Sequence, residues 1–279
     1  MKALVPHRPS HIYISGRNQK AAEKLIAEIH EHHPSAAITF LSMDLSSMAS
    51  VKKAAATGFK HDRLDLLMCT AGIMDVPPAL SKDGYEIQFA TNHLGHAMLI
   101  QCLLPLLLHT AALPGADVRV LSTSSLGYGM HPQPGICFDE LDAGSVMRRV
   151  LFGGNVRYGQ SKLANILYAS ELARRHPQIT SVSLHPGVVL TDLVYTQRRI
   201  KLWFMHLGCW LMGIGYLTPQ QGCFSQVWCA TVAKKEELRN GGFYYPVGVD
   251  KTEMLDAKAR DEDLAKRLWE WTDGVLAKF

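Results

Sequence analysis

No glycine precedes Gly16, and no succession of strand, glycine-rich turn and helix can be read ahead of the segment around residues 11–15. Such a turn lets backbone amides approach a phosphate closely, so the start of the chain offers no cradle of that kind. Secretion signals are also absent: the first ten residues contain Pro6 and Pro9 and lack an apolar core, which excludes a leader by composition. The six cysteines (Cys69, Cys102, Cys137, Cys209, Cys223, Cys229) are scattered. None pairs with a neighbour at metal-ligand spacing beside histidines, so they read as reduced thiols of an intracellular, cytoplasmic protein.

Long apolar runs are missing as well. The longest, residues 202–217, is about 16 residues and is interrupted by His206 and three glycines, short of the roughly 20 needed to cross a bilayer. It reads as a buried or substrate-covering segment. The alternative is a membrane-surface contact, with Arg198, Arg199 and Lys201 at one end and Trp203 and Trp210 in the interfacial belt. Lys and Arg number 29 against 25 acids, a net charge of +4 spread along the chain. That is a mild solubility term and no argument for nucleic acid. An apolar share of 47% with 19% charged residues is that of a globular protein. Without repeats, low-complexity tracts or a linker, the expectation is one domain over 1–279.

The pattern that is present alternates. Segments 11–15, 37–41, 64–70, 117–123, 180–184 and 242–245 are β-rich. Between and after them, 18–29, 48–58, 84–108 (with a boundary near Asn92), 158–175, 219–232 and 261–277 have helical periodicity. Segment 64–70 is apolar apart from Asp65, as a strand buried on both faces would be. Alternation of this kind specifies an α/β fold, a doubly wound, mostly parallel sheet. Ligands in such sheets sit beyond the carboxyl ends of the strands. The residues to inspect are therefore Arg17-Asn18, Asp44-Leu45, Ala71-Gly72, Ser124-Ser125 and the run from Pro186 to Thr191.

Tyr158-Gly-Gln-Ser-Lys162 opens the fourth of those helical segments. A phenol and an ammonium four residues apart share a helix face, and the ammonium is expected to lower the phenol's pKa. Two solvated helix residues at this spacing are the plainer alternative. Of the nine tyrosines only Tyr158 has a lysine four residues on.

Taken in order, Asp44-Leu45, Cys69-Thr-Ala-Gly72, Asn92-His-Leu-Gly-His96, Arg119-Val-Leu-Ser-Thr-Ser-Ser125, Tyr158-Gly-Gln-Ser-Lys162 and His185-Pro-Gly with Thr191 resemble a short-chain dehydrogenase/reductase. The wording is most similar to the retinol-dehydrogenase-like and WW-domain-oxidoreductase-like branch. The resemblance implies a Rossmann-like sheet and an oxidoreductase taking NADP (NADPH). Tyr158 would be the general acid or base, and Lys162 would assist it and bind the nicotinamide ribose. Ser125 would hold the substrate oxygen, with adjacent Ser124 as the alternative register. Asn92 would hold a relay water. Val189 and Thr191 would contact the nicotinamide carboxamide, Asp44 and Leu45 the adenine, and Ala71 and Gly72 the cofactor between. Arg17 with no acid before Glu23 favours the 2′-phosphate of NADP over NAD. The substrate would be a lipophilic small molecule covered by residues 203–216: a retinoid, a steroid or a secondary-metabolite ketone. A homodimer or tetramer would use the helix from Tyr158 and the one before it.

The same resemblance implies a first strand and glycine-rich loop that are missing here. Residues 1–5 would be the last turn of the family's first helix, ended by Pro6. The missing strand would lie between segments 11–15 and 64–70, leaving two strand edges without partners. Either the sequence belongs to a longer chain, or the protein is a catalytically silent relative acting through protein contacts. A metal hydrolase built on some of the thirteen histidines fails on spacing, since His93 and His96 lack a third ligand nearby.

Overall fold

The computed structural model describes residues 1–141, 153–189 and 215–279. Nine strands and eight α-helical segments are found among them. In order they are β1 (Ile12–Gly16), α1 (Gln19–His30), β2 (Ile38–Ser42), α2 (Met48–Gly58), β3 (Leu66–Cys69) and α3 (Ile87–Phe89). Next come α4 (Gly95–Ala111), β4 (Arg119–Thr123), α5 (Gly153–Arg175), β5 (Thr180–Leu184), β6 (Val188–Val189) and β7 (Tyr216–Leu217). The last are α6 (Pro219–Gly222), α7 (Phe224–Val227), β8 (Phe243–Tyr245), β9 (Val249–Asp250) and α8 (Glu262–Leu276).

The sheet is parallel except at one edge, and it is divided. Strands β3, β4, β5 and β8 run parallel in that order, with β9 antiparallel at the end. Strands β1 and β2 form a separate parallel pair. Among the described residues no strand pairs with the second edge of β1 or of β3, as expected from the sequence. Strand β3 is not buried on both faces as expected: Leu67 and Cys69 are buried in the larger core, while Leu66 and Met68 lie only half-buried against the smaller one. Residues 1–4 form a turn, with Leu4 N donating to Met1 O. Pro6 does not end it. A 3-10 turn continues from Val5 to His7 with Pro6 in its first positions, where a missing N–H costs nothing.

The larger core lies where α2, α4, α5 and α8 pack on one face of the sheet. A smaller one, with Leu121, Val182, Leu184, Cys229 and Tyr244, lies on the other. Each fully buried Leu or Val contributes about 1.5–3 kcal/mol, so the first core dominates stability. Helix α5 was expected to open at Tyr158 with one apolar face. Among the described residues it already runs from Gly153, which places Tyr158 more than a turn inside, and it is buried nearly all round from Arg157 to Ala173. Helix α8 covers one side of it.

The expected boundary near Asn92 is a π-helical turn, Ala90–Leu94, joining α3 to α4. Residues 87–111 make one helix long and apolar enough to cross a membrane by composition, but more than half of its apolar window is buried inside the protein. Gly95 opens α4 because a Cβ there would meet the Leu45 carbonyl oxygen. The expected single helix over 219–232 is broken into α6, α7 and a second π-turn, Trp228–Val232. Arg119 pins that turn, donating to the carbonyls of Cys229 and Ala233 at 2.7 Å each.

Candidate active site

The site forms where β4 ends. Ser124 N–H donates to the Leu184 carbonyl at 2.7 Å, keeping the chain in register with β5 one residue beyond the strand. Its hydroxyl donates to the Lys162 carbonyl at 2.8 Å, and its side chain is buried. Ser125 instead caps a 3-10 turn, Leu126–Met130, accepting from Gly127 N at 3.1 Å. Its side chain also acts on the Tyr158 phenol, drawing the pKa down against burial. Of the two serines, Ser125 is thus the one that acts on Tyr158, while Ser124 holds the helix backbone.

That 3-10 turn lies against α5 because Gly159 permits it. A Cβ at Gly159 would stand 2.7–2.8 Å from backbone atoms of Met130, Gly127 and His131. The glycine of the Tyr-Gly-Gln-Ser-Lys stretch therefore sets how close Ser125's turn comes to Tyr158.

Lys162 is buried, with Nζ 5.6 Å from the centroid of the Tyr158 ring. It donates to the Thr123 carbonyl at 3.0 Å, which also accepts from Asn165 Nδ2 at 3.1 Å. An ammonium has three donors, so a single bond among the described residues leaves capacity for a ligand. The expected lowering of the phenol pKa by this ammonium is not found. Burial pushes Tyr158 up to about 12, against the pull of the Ser125 hydroxyl, and pushes Lys162 down to about 8. Desolvation, the dominant cause for both groups, disfavours each charged form.

Asn92 is fully buried, and its amide is committed. Oδ1 accepts from Ile73 N at 2.8 Å, while Nδ2 donates to the Ile73 carbonyl and to Ser161 Oγ, both at 2.9 Å. Its backbone carbonyl accepts from His96 Nδ1 at 3.1 Å. Gly72 lies in the same corner: a Cβ there would be 3.0 Å from Asn92 Oδ1 and 3.5 Å from Lys162 Nζ. Ala71, just before it, is exposed on the rim.

The other end of the cleft is built from α1 and the β2–α2 connection. Asn18 caps α1 by accepting from Ala21 N at 3.0 Å, and Arg17 is exposed beside it. Glu23 is held by Gln19 Nε2 at 2.8 Å. Asp44 does not cap α2; Ser47 does. Asp44 instead accepts from the Ser46 amide and hydroxyl and from Lys82 at 3.2 Å. Burial raises its carboxyl, but Ser46 and Lys82 outweigh that and hold it below its ordinary value. Leu45 packs half-buried on the main core. Val189 lies in β6, paired with Leu217 of β7, and its side chain closes on Gly222. Thr191, and residues 203–214 of the expected substrate-covering stretch, lie outside the described residues.

Three participants went unread in the sequence. Ser161 donates to the Tyr158 carbonyl at 2.7 Å while receiving Asn92. Asn165 shares the Thr123 carbonyl with Lys162, and its i+3 spacing from Lys162 was the available signal. Gln160 accepts from Cys137 N at 2.9 Å and ties the loop before 141 to the helix.

With this geometry in view, similarity to known proteins becomes informative. A family model described as short chain dehydrogenase matches residues 4–136. An uncharacterized oxidoreductase of Schizosaccharomyces pombe is 35% identical over 270 residues, covering 95% of this chain and 77% of that protein. The chain belongs to the short-chain dehydrogenase/reductase family. Human retinol dehydrogenase 11 is 32% identical over 273 residues, covering 96% and 79%. An NADPH-bound carbonyl reductase from chicken fatty liver shares the fold, with TM-score 0.54, 20% identity and 85% of each chain covered. As a short-chain dehydrogenase/reductase this is an oxidoreductase by family, with a parallel-dominated Rossmann-like α/β fold. The family model ends before α5, while the match to the Schizosaccharomyces pombe protein covers 95% of this chain.

Proposed function

We propose that the protein is an NADP-dependent oxidoreductase that interconverts a carbonyl and an alcohol on a lipophilic small molecule. The observation that carries this reading is a buried Tyr158 with Lys162 Nζ 5.6 Å from its ring on the next turn of the same helix and Ser125 acting on its phenol. The residues fit the two ends of the cofactor. Lys162 has donors to spare beside the Gly72 corner for a nicotinamide ribose. Arg17, with Glu23 engaged by Gln19, suits a ribose 2′-phosphate better than a 2′-hydroxyl. Asp44, Leu45, Ala71, Val189 and Thr191 complete the proposed contacts. When bound, the dinucleotide supplies or accepts the hydride.

The protein's own residues handle the proton. A phenol with pKa about 12 is fully protonated at neutral pH, the state needed to donate to a carbonyl oxygen as negative charge develops. Ser125 holds that oxygen against the phenol. Lys162, brought to about 8, is the adjacent group able to gain and lose a proton near neutrality. A lipophilic substrate, with retinoids, steroids and secondary-metabolite ketones as candidates, is supported by the apolar stretch 203–216 and by the retinol dehydrogenase relative. Homodimerisation and contact with a membrane surface belong to the same proposal.

The unpaired edges of β1 and β3 favour a second reading, a catalytically silent member of the family acting through protein contacts. Titration with NADPH, followed by fluorescence quenching, separates the two. Saturable binding with turnover that Tyr158→Phe abolishes supports the enzyme. A folded chain that does not quench supports the silent protein.

A further inference from the structure

Segment 73–76 is fastened by three buried polar side chains. Asn92 takes both polar atoms of Ile73, Gln88 Oε1 accepts from Asp75 N at 2.7 Å, and Arg157 Nη2 donates to the Val76 carbonyl at 2.9 Å. Asn92 and Gln88 are 0% exposed and Arg157 is 2% exposed. Gln88 Nε2 also donates to the Gly154 carbonyl at 3.0 Å, joining the segment to the start of α5. Asp75 has φ of 51°, a left-handed conformation that costs a non-glycine residue energy and persists only where the surroundings enforce it.

The segment's ends bracket the reactive turn of α5. Gly72, just before it, stands beside Lys162, and Val76, at its far end, is held by Arg157, the residue preceding Tyr158. Arg157 is paired with Glu86, Nε lying 3.2 Å from Oε1 with both side chains 2% exposed, a charge contact without hydrogen-bond alignment. Glu86 Oε2 accepts from Phe89 N at 2.7 Å, so the pair ties α3 to α5.

A buried ion pair of this kind is a poor source of stability, because desolvation offsets the attraction and an apolar pair of similar volume often serves as well or better. It keeps the guanidinium in place instead, and the directional bond is the one from Arg157 Nη2 to the Val76 carbonyl. We propose that Arg157, held by Glu86, is a positioning residue: it fixes segment 73–76 as the wall beside Tyr158 and so sets the placement of the group that Tyr158 protonates. This rests on the reading of the protein as a carbonyl reductase.

The test compares Arg157→Met, Arg157→Lys and the double variant Glu86→Leu/Arg157→Met with the parent. Arg157→Met strands a buried carboxylate and is expected to lower Tm. The double variant removes both charges and is expected to recover the parent Tm. Positioning predicts that it still loses kcat tenfold or more with ketone and NADPH, keeps NADPH binding within about threefold, and is not rescued by lysine. Recovery of kcat along with Tm would overturn the proposal, because the pair would then be structural only. Hydrogen–deuterium exchange gives a readout independent of turnover, and covers the case in which the parent reduces no ketone. The double variant must exchange faster at the amides of residues 73–76 at unchanged Tm; unaltered exchange there overturns the proposal.

Discussion

Lys162 Nζ stands 5.6 Å from the centre of the Tyr158 ring and gives a hydrogen bond to the Thr123 carbonyl, not to the phenol. Both groups are therefore governed by burial, and their titrations have opposite consequences. Lys162 falls from 10.5 to about 8, so between those values the unfolded chain binds the extra proton and stability rises with pH. Tyr158 rises from 10 to about 12, so between those values the unfolded chain loses its proton first and stability falls. Thermal melts should show Tm climbing from pH 8 to 9 in the parent and no such climb in Lys162→Met; above pH 9 the buried thiols of Cys69 and Cys229, raised from 9.0 to about 12, act in the opposite sense. The climb corresponds to at most about 1.4 kcal/mol. A parent Tm that is flat or falling over that interval would show that Lys162 is not held as described.

The two serines separate chemistry from scaffolding. Ser125→Ala removes the hydroxyl that acts on the phenol and is expected to cut kcat by about 10²-fold or more, with little change in Tm. Tyr158→Phe should cut it by about 10²–10⁴-fold, the usual worth of a positioned proton donor. Ser124→Ala removes a second donor from the Lys162 carbonyl, beside its helical amide partner, and should cost about 1 kcal/mol of stability with a smaller loss of kcat. Steady-state kinetics beside thermal melts decide it. The reverse order of effects would reassign the serines.

Three buried histidines predict sensitivity to acid. Burial, with His96 adding to the effect, takes His93 down to about 3. Burial and Lys162 take His96 to about 4, and burial takes His185 to about 4. Each folded value lies below the unfolded 6.5, so the stability they contribute is complete above pH 6.5 and is lost as pH falls toward 4. For each histidine the loss is on the order of 3 kcal/mol at most. Urea midpoints measured from pH 7 to 4.5 should fall steadily, and less steeply in His96→Gln. A midpoint independent of pH over that range would contradict the buried neutral state.

What could be read in the sequence follows from how local each signal is. The strand–helix alternation, the interruption at Asn92 and the serine pair after β4 each depend on a few consecutive residues, and each is found. Glu86 and Arg157 lie 71 positions apart and meet only because α3 and α5 pack together, so no local pattern could announce them. Two-residue strands such as β6, β7 and β9 have no periodicity to detect. The phenol pKa was misjudged because helix spacing brings an ammonium near but says nothing of burial, and burial is the larger effect here.

The proposed preference for NADP rests on Arg17. It is exposed at the start of α1, where the nearest acid in sequence, Glu23, is bonded to Gln19. Arg17→Ala is expected to raise KM for NADPH by about tenfold, equivalent to about 1.4 kcal/mol, and to leave KM for NADH within twofold. Equal effects on both cofactors would remove the argument for NADP.

The glycines of two helices should respond oppositely to alanine. Gly-to-Ala inside a helix is ordinarily stabilising by about 1 kcal/mol. At Gly274 in α8 a Cβ meets nothing within 4 Å, so Gly274→Ala should gain about that amount. At Gly159 the Cβ would lie 2.7–2.8 Å from main-chain atoms of the Leu126–Met130 turn and His131. Backbone cannot swing aside as a side-chain tip can, and overpacking costs about 1–3 kcal/mol, which outweighs the propensity gain. Gly159→Ala should therefore lower Tm by a few degrees and, by moving the turn that carries Ser125, depress kcat further than the stability loss accounts for. Melts and kinetics of the two variants side by side test this. A Gly159→Ala protein as stable and active as Gly274→Ala would mean that the turn is not packed on α5 at the distance described.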